Sequence, residues 1–595
     1  MSRSFWRKPS LLLGILVSLG LLTAVACGAA EEPTPTQPPA PVATNTPTPV
    51  TSVATPTPTT TTAVVATPTP TATRTPTPVP AVQPKKGGII KQNATEDPPS
   101  FDGHTATSAA HNIYNQKLYS TLLWNPKDDQ IVLDAAESYT ISADGKVWTF
   151  KLRPGIKYQT GYTPAHPRDG TTMTSKDVKW SLEKLMGLHG QTISARSGWM
   201  KEFIDIDRAD NGIEVVDDLT FKIHLVQPFS SLANLLAIGF SVIMPEGIVT
   251  SDLLKRPYGT GPFKVDFKTS QRAALWNLPR NPDYFKPGLP YLDGWSFVLM
   301  DGDAIVQAAF LTRKTDVSGG HPTQDNKSIY EKKVASGEIY RLIYSSDCRP
   351  QGLVMNSTKP PFNDLKLRQA VNLGIDREAY SQVVHDGYSQ PEIIADAGGW
   401  GMTVEEVRKL PGFRQPHDAD QAEAKKIIKE LYPSGLDVKM MTRSTSGYMR
   451  QGEMVAGELR KLGINVTIEP VDTTVVFSRA EKLDYNLWNY WFCQTTNTPE
   501  ELIGSYFITG GSRNWMGYSN PAIDKGYLDM AAISDPVQKK KKLTEMIDTI
   551  YAFLPYAPLT VHTTSRNAYS FVQDLPLGIT QYSREKNELI WRSDI

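Results

Sequence analysis

The sequence predicts α/β or α+β lobes carried on a long unstructured stalk. Three observations lead there. The chain has 595 residues, enough for two or three lobes with cores of their own. Period-2 and period-3.6 apolar patterns alternate irregularly along most of it. The composition changes abruptly near Lys85, from Thr/Pro repeats to a normal globular mixture.

The strand signals come first. In Trp148-Thr149-Phe150-Lys151-Leu152-Arg153 every second residue is apolar, which reads as a half-buried strand. The segments Phe221 to Leu225 and Ile464 to Glu469 repeat the pattern. Thr174 and Asp177 form a capping-box pair ahead of Val178, Leu182 and Leu185 at helical spacing. Ala424, Ile427, Ile428 and Leu431 make a second helical stripe. Asn520-Pro521 and Asp535-Pro536 each read as a cap followed by a first-turn proline. The apolar run Ser231 to Met244 is too short to span a bilayer and is expected to be core.

Charge and cysteine usage exclude several classes. Lys+Arg and Asp+Glu both number 62, so no basic surface for nucleic acid is expected. The three cysteines, Cys27, Cys348 and Cys493, fit neither a zinc site nor a redox pair. Whether Cys348 and Cys493 pair is left open. There is no Gly-x-Ser-x-Gly elbow, His-Glu-x-x-His or phosphate-binding glycine loop. The acidic pairs Asp128-Asp129 and Asp217-Asp218 read as solvated turns, so no enzyme and no cofactor is expected.

The N-terminus reads as an address. Arg3, Arg7 and Lys8 precede an apolar run from Leu11 to Ala26, which has the length of a signal-peptide core. Ala24-Val25-Ala26-Cys27-Gly28 resembles the bacterial lipoprotein signal, with Ala24 where that signal usually has Leu. The resemblance implies lipidation at Cys27 and a membrane-anchored chain, on the extracellular face of the cell membrane or in the periplasm. Two or more acyl chains give stable anchoring where one does not. Glu31 to Pro84 has no aromatic residue and few charges, so it cannot fold around a core. Its prolines stiffen it into a spacer that reaches on the order of 150 Å at ~3.1 Å per residue.

The globular part resembles the family 5 extracellular solute-binding proteins, the oligopeptide-, dipeptide- and nickel-binding components of ABC importers. Trp148 to Lys157 (Trp-Thr-Phe-Lys-Leu-Arg-Pro-Gly-Ile-Lys) matches the family's most diagnostic block. Met173 to Val178 follows after an insert, Tyr162 to Arg168, that is unusual for the family. Then come Tyr258-Gly259-Thr260-Gly261-Pro262-Phe263, Arg280 to Phe285, and Pro360 to Asn372 with Ile375-Asp376-Arg377-Glu378. Gly517 to Pro521 and Leu554 to Leu559 complete the series. Gly259, Gly261 and Pro262 are expected to make a tight turn with unusual backbone angles. Arg368 and Asp376 are expected to brace a helix.

This resemblance implies a two-lobed periplasmic-binding-protein-like fold (type II, large, with an extra subdomain), its mixed sheets flanked by helices. The implied organisation is a signal peptide over 1–26 and a lipidated stalk over 27–84. Lobe I follows over 85–344, with the subdomain at about 118–250, then lobe II over 345–554 and a return to lobe I over 555–595. Such a clamp would capture a small solute between its lobes and pass it to an ABC permease, acting as a monomer.

In peptide-binding members a Trp and an Asp three residues later lie in the cleft, the Asp pairing with the peptide's ammonium. Here the stretch is Tyr490-Trp491-Phe492-Cys493-Gln494. Trp491 keeps the aromatic wall, while Gln494 can accept a hydrogen bond but supplies no charge. A neutral, polar or sugar-like solute fits this better than a peptide ammonium. Phe101, Tyr388, Trp400, Arg513 and Trp515 fall in segments that often line the cleft, each with core packing or, for Arg513, a surface acid as the alternative. Two other functions remain: a metal-complex receptor using His104, His111, His417 or His562, and a surface sensor or adhesin on the same fold.

Overall fold

The computed structural model describes residues 83–595 apart from 106–108, 128–129, 191–197, 395–398, 493, 497, 577–581 and 583–584. The expected signal peptide, Cys27 and stalk lie outside the described residues, as does the pairing of Cys348 with Cys493. Among the described residues, no helix is long and apolar enough to cross a membrane.

The architecture centres on a ten-stranded mixed sheet. Two long antiparallel strands, Ile339–Met355 and Tyr556–Tyr569, run through its middle. On one side their ends join Val317–Gly320, Ile89–Ala94, Gly294–Leu299 and Leu275–Pro279. On the other side they join Leu487–Trp491, Leu436–Arg443 and Ile464–Val471. The register between the long strands shifts between Ser345 and Pro350 and again before Gly352. A shift of that kind leaves residues unpaired and bends the strand. Here it falls where the pairing passes from one half of the sheet to the other. The fold is therefore mixed α/β, with the sheet divided about two shared strands.

A separate four-stranded sheet contains Val147–Leu152 and Thr220–His224, both predicted from alternation. Trp148, Phe150 and Leu152 are buried on one face. Val178, Leu182 and Leu185 are buried on helix Ser175–Leu185, whose start has the predicted box: the Thr174 N–H donates to Asp177 at 2.8 Å. Arg168, at the end of the unusual insert, pairs with the same carboxylate. Asp535 and Asn520 cap helices Pro536–Phe553 and Pro521–Ala532 as expected. Asp376 caps helix Arg377–His385. Arg368 is buried and donates to the Phe362, Phe553 and Leu554 carbonyls, so it braces rather than binds.

One expectation about the backbone fails. Neither Gly259 nor Gly261 has a left-handed φ. Their smallness is needed because two backbones touch: a Cβ on Gly259 would lie 1.9 Å from the Leu118 carbonyl oxygen, and one on Gly261 2.5 Å from that of Lys117. The Gly261 N–H donates to the Leu118 carbonyl at 2.9 Å. Close approach, not turn geometry, selects glycine here.

The ends of the globular chain meet in one core. Val572–Gln573 pairs with Trp591–Arg592, and the Arg592 guanidinium donates to the Ile89 carbonyl at 2.7 Å. Buried Lys117 donates to the Glu585 carbonyl at 2.8 Å. Asp134 pairs with Lys286 at 2.7 Å and with Lys586. A single apolar cluster also carries residues of the 118–250 region, including Phe203, Phe229 and Phe240, together with Tyr506, Tyr527 and Tyr556.

Candidate ligand cleft

Three strands run parallel, with Leu436–Arg443 between Ile464–Val471 and Leu487–Trp491. The chain steps to one side through helix Ser446–Lys461, then back to the other through Thr473–Glu481. Such a reversal opens a crevice at the carboxyl ends of the strands. Trp491 ends one of those strands, and helix Ser446–Lys461 begins beside it.

Period-2 geometry sorts the neighbouring aromatics. Trp488 and Tyr490 point into the apolar cluster, 4.3 Å apart, where Tyr490 also meets Trp515 at 5.1 Å and Phe492 at 5.2 Å. Asn489 and Trp491 face the other way. The Asn489 amide donates to the Tyr448 carbonyl at 3.1 Å. The Trp491 ring stacks on Tyr448 at 4.5 Å, and its indole N–H donates to Gln451.

Trp491 walls a cavity of about 110 Å³. Asp303 and His321 approach it from the chain before the first long strand, His385, Tyr388 and Arg450 from the chain after it, and Thr563 from the second. Tyr388 is held by its own carbonyl, which accepts from the Thr563 N–H at 2.8 Å. His321 meets Asp303 at 3.2 Å through Nδ1 and His562 at 3.1 Å through Nε2. His562 stacks on His385 at 5.3 Å. His385 donates to the Gln351 amide oxygen at 3.0 Å. Burial, reinforced by His321 and Arg450, pushes His385 down to about 3, so it is neutral at pH 7.

The remaining candidates separate. Gln494 is 2 % exposed, and its Oε1 has no hydrogen-bond partner among the described residues. Next to it in sequence, the Thr495 and Thr496 N–H groups donate to Glu501 at 2.6 and 3.0 Å. Arg513 is buried, 3.6 Å from Glu501 and 3.0 Å from the Tyr506 hydroxyl, so its acid is an interior one rather than the surface acid expected. Trp515 packs within the aromatic cluster. Phe101 lies in a different core, edge-on to Phe267 at 5.8 Å and Trp276 at 6.1 Å. Trp400 lines a second, larger cavity of about 850 Å³.

The histidines named as metal candidates do not converge. His104 and His111 are buried near Asp102, His417 is buried before helix Asp418–Leu431, and His562 is in the cleft. Among the described residues the group close enough for a metal is Asp210, Glu214 and His224. There Glu214 is already bound to Lys222 and His224, both at 2.8 Å, and Asp210 to Arg208. Asp217 accepts from the Leu219 and Thr220 N–H groups, both at 2.8 Å, as the turn residue it was expected to be. Asp128 and Asp129 lie outside the described residues. Tyr448, Gln451, Arg450, His321, His385 and Asp303 were not anticipated. The short Ser444–Thr445 loop between strand Leu436–Arg443 and helix Ser446–Lys461 was the one available signal for the first three.

Solved structures with this fold are periplasmic binding proteins. The ABC transporter-associated periplasmic binding protein DppA from Helicobacter pylori, in complex with the peptide STSA, superposes with a TM-score of 0.72 at 21% identity, over 85% of this chain and 98% of that one. Haemophilus influenzae OppA, bound to RPPGFSPFR, gives 0.71 at 18% identity over 86% and 100%. The fold is thus that of the periplasmic binding proteins. Residues 130–514 match the model for bacterial extracellular solute-binding proteins, family 5 (Middle), and the chain belongs to that family. The glutathione-binding protein GsiB of Pectobacterium atrosepticum is 25% identical over 512 residues, 82% of this chain and 92% of GsiB. The chain is a substrate-binding protein for ABC import.

Proposed function

We propose that this chain captures a small polar solute in the cleft under Trp491 and releases it unchanged to an ABC permease. The observation that carries this reading is the composition of the cavity wall. Asp303 and His321 come from the chain before the first long strand, His385 and Trp491 from the chain between the two, and Thr563 from the second strand itself. Contacts of that kind are complete only when the halves are together, so a solute that makes them biases the clamp toward closure. In this reading lobe I is 85–344 and 555–595, lobe II is 345–554, and the register shift between Ser345 and Pro350 is the hinge.

The ligand is donor-rich. Gln494 does not itself line the cavity, but its Oε1 is a buried acceptor that a ligand N–H or O–H reaching it would satisfy. It offers no charge for an ammonium, which favours a neutral or sugar-like solute over the free peptide amino terminus. The named ligands of the relatives, glutathione and peptides, support a solute of that size range. The monomer would be tethered by lipid on Cys27 and held away from the membrane by the Thr/Pro stalk.

Native mass spectrometry of the purified protein, followed by thermal-shift screening of peptides, oligosaccharides and divalent metals, tests this. A stabilising solute whose effect disappears in Trp491→Ala supports the receptor and names its class. If nothing in the three classes binds, the transport reading fails and a sensor or adhesin takes its place. Metal ions alone stabilising the protein would favour the metal-complex receptor instead.

A further inference from the structure

The larger cavity, beside Trp400, is unlike the cleft. Its wall is drawn from the 118–250 region through Ser231 and from the opposite region through Thr498, Thr544 and helix Pro536–Phe553. The helix supplies Lys539, Lys540 and Lys541 in succession. No carboxylate is among the described residues that line it.

The three lysines are not equivalent. Lys539 is buried and its charge is spent: it pairs with Glu500 and donates to Ser230 Oγ at 2.8 Å. Lys540 is exposed and donates to the Gly399 carbonyl at 2.6 Å, next in sequence to Trp400, with the exposed Glu406 carboxylate close enough to feel its charge. Lys541 is exposed and has no hydrogen bond or ion pair among the described residues. Two positive charges therefore stand over the groove. The half-buried Trp400, packed against the margin of the main apolar cluster, lines the same groove as Ser231, Thr498 and Thr544.

We propose that this groove is a second binding site, separate from the cleft under Trp491, and that it takes an acidic oligosaccharide. Each part of the wall answers one part of such a ligand. An indole presents a flat apolar surface to the C–H face of a pyranose ring. Ser231 and Thr544 already donate, to Glu500 and to the Lys540 carbonyl, both at 3.0 Å, and so meet sugar hydroxyls as acceptors, while the Thr498 hydroxyl shares a bond with that of Thr496 at 3.2 Å. Lys540 and Lys541 meet carboxylates as point charges. The volume of about 850 Å³ falls in the usual range for ligand pockets, roughly 300–1,000 Å³. Because the groove bridges two regions of the chain, an occupant touches both.

Trigalacturonate is the probe, with its methyl ester and inorganic phosphate as controls, titrated into the purified protein by calorimetry. The acid form is expected to bind, with an affinity that falls as salt rises because the lysines are exposed. The methyl ester, the double variant Lys540→Ala/Lys541→Ala and Trp400→Ala are each expected to bind about tenfold more weakly or worse. Both lysines are exposed, so the double variant should melt at the wild-type temperature, and a loss in it reports on binding. Any of three results overturns the proposal: no binding of trigalacturonate at millimolar concentration, equal affinity for its methyl ester, or unchanged affinity in the double variant. Phosphate competing as strongly as the trisaccharide would also overturn it, by reducing the groove to a simple anion site.

Discussion

Trp491 and Tyr448 stack with ring centroids 4.5 Å apart and planes 25° from parallel, at the point where a strand ends and a helix begins. The next residue back, Tyr490, lies inside the aromatic core. Two adjacent substitutions should therefore part company. Trp491→Ala removes one wall of the cleft and should weaken solute binding by about 1.5 kcal/mol or more, roughly tenfold, with little loss of stability. Tyr490→Ala opens a cavity in the core and should cost about 3–5 kcal/mol of stability. Calorimetric binding and urea unfolding on both variants separate the effects. Equal loss of stability in the two would place Trp491 in the core as well.

Gln494 gives a test in the opposite direction. Gln494→Asp restores a carboxylate at a buried position and should improve binding of peptides with free amino termini by about 1–3 kcal/mol. The same change brings a second negative charge near Glu501, so the unliganded variant should melt at a lower temperature. Unchanged peptide affinity with a lowered melting point would mean that this side chain does not reach the ligand.

Gly259 faces the Leu118 carbonyl so closely that no side chain fits. Gly259→Ala should destabilise by several kcal/mol, since backbone must move on one side or the other. The position also marks where sequence reasoning stops. A Gly-x-Gly-Pro string announces that something backbone-specific happens, and a turn was the natural inference. That the reason is contact with a segment about 140 residues earlier is a property of tertiary packing. The cleft divides along the same line. The place of Trp491 in the cleft was legible only through the resemblance, since no strand was read there from alternation. Tyr448 and Gln451 carried only a faint loop signal, and His321, His385 and Asp303 none. They reach the cavity from three elements separated in sequence, and no local spacing records that.

Asp102 and Lys184 form a buried pair, both carboxylate oxygens accepting from the ammonium at 2.8 and 2.7 Å. Thr250 adds a third donor at 2.7 Å. Burial favours the neutral acid, but His104 once it is protonated, the Lys184 ammonium and the Thr250 hydroxyl outweigh it and hold Asp102 below its usual range. Lys184→Met leaves that charge without its main partner and should cost about 3–5 kcal/mol. The double change Asp102→Leu/Lys184→Met should recover much of the loss. If the single variant unfolds at the wild-type urea concentration, the pair contributes nothing to stability.

Three buried histidines set the response to acid. Burial pushes His104 and His111 down to about 4 and His385 to about 3. In the unfolded chain each would titrate near the ordinary value of about 6.5. The folded protein therefore binds fewer protons than the unfolded chain between those limits. Stability from these groups is fully present above pH ~6.5 and is lost as pH falls toward ~4 and then ~3. Each such histidine steepens the fall by up to about 1.4 kcal/mol per pH unit. Urea midpoints should accordingly drop between pH 7.5 and 5 while the steepness of the transition stays constant. His385→Asn removes one of the three protons, so its stability curve should be shallower than the wild type's by up to about 1.4 kcal/mol per unit, most strongly at the acid end of that window. A parallel curve would mean that His385 is protonated as readily in the folded cleft as in the unfolded chain. Burial and the neighbouring His321 and Arg450 would then not hold it neutral.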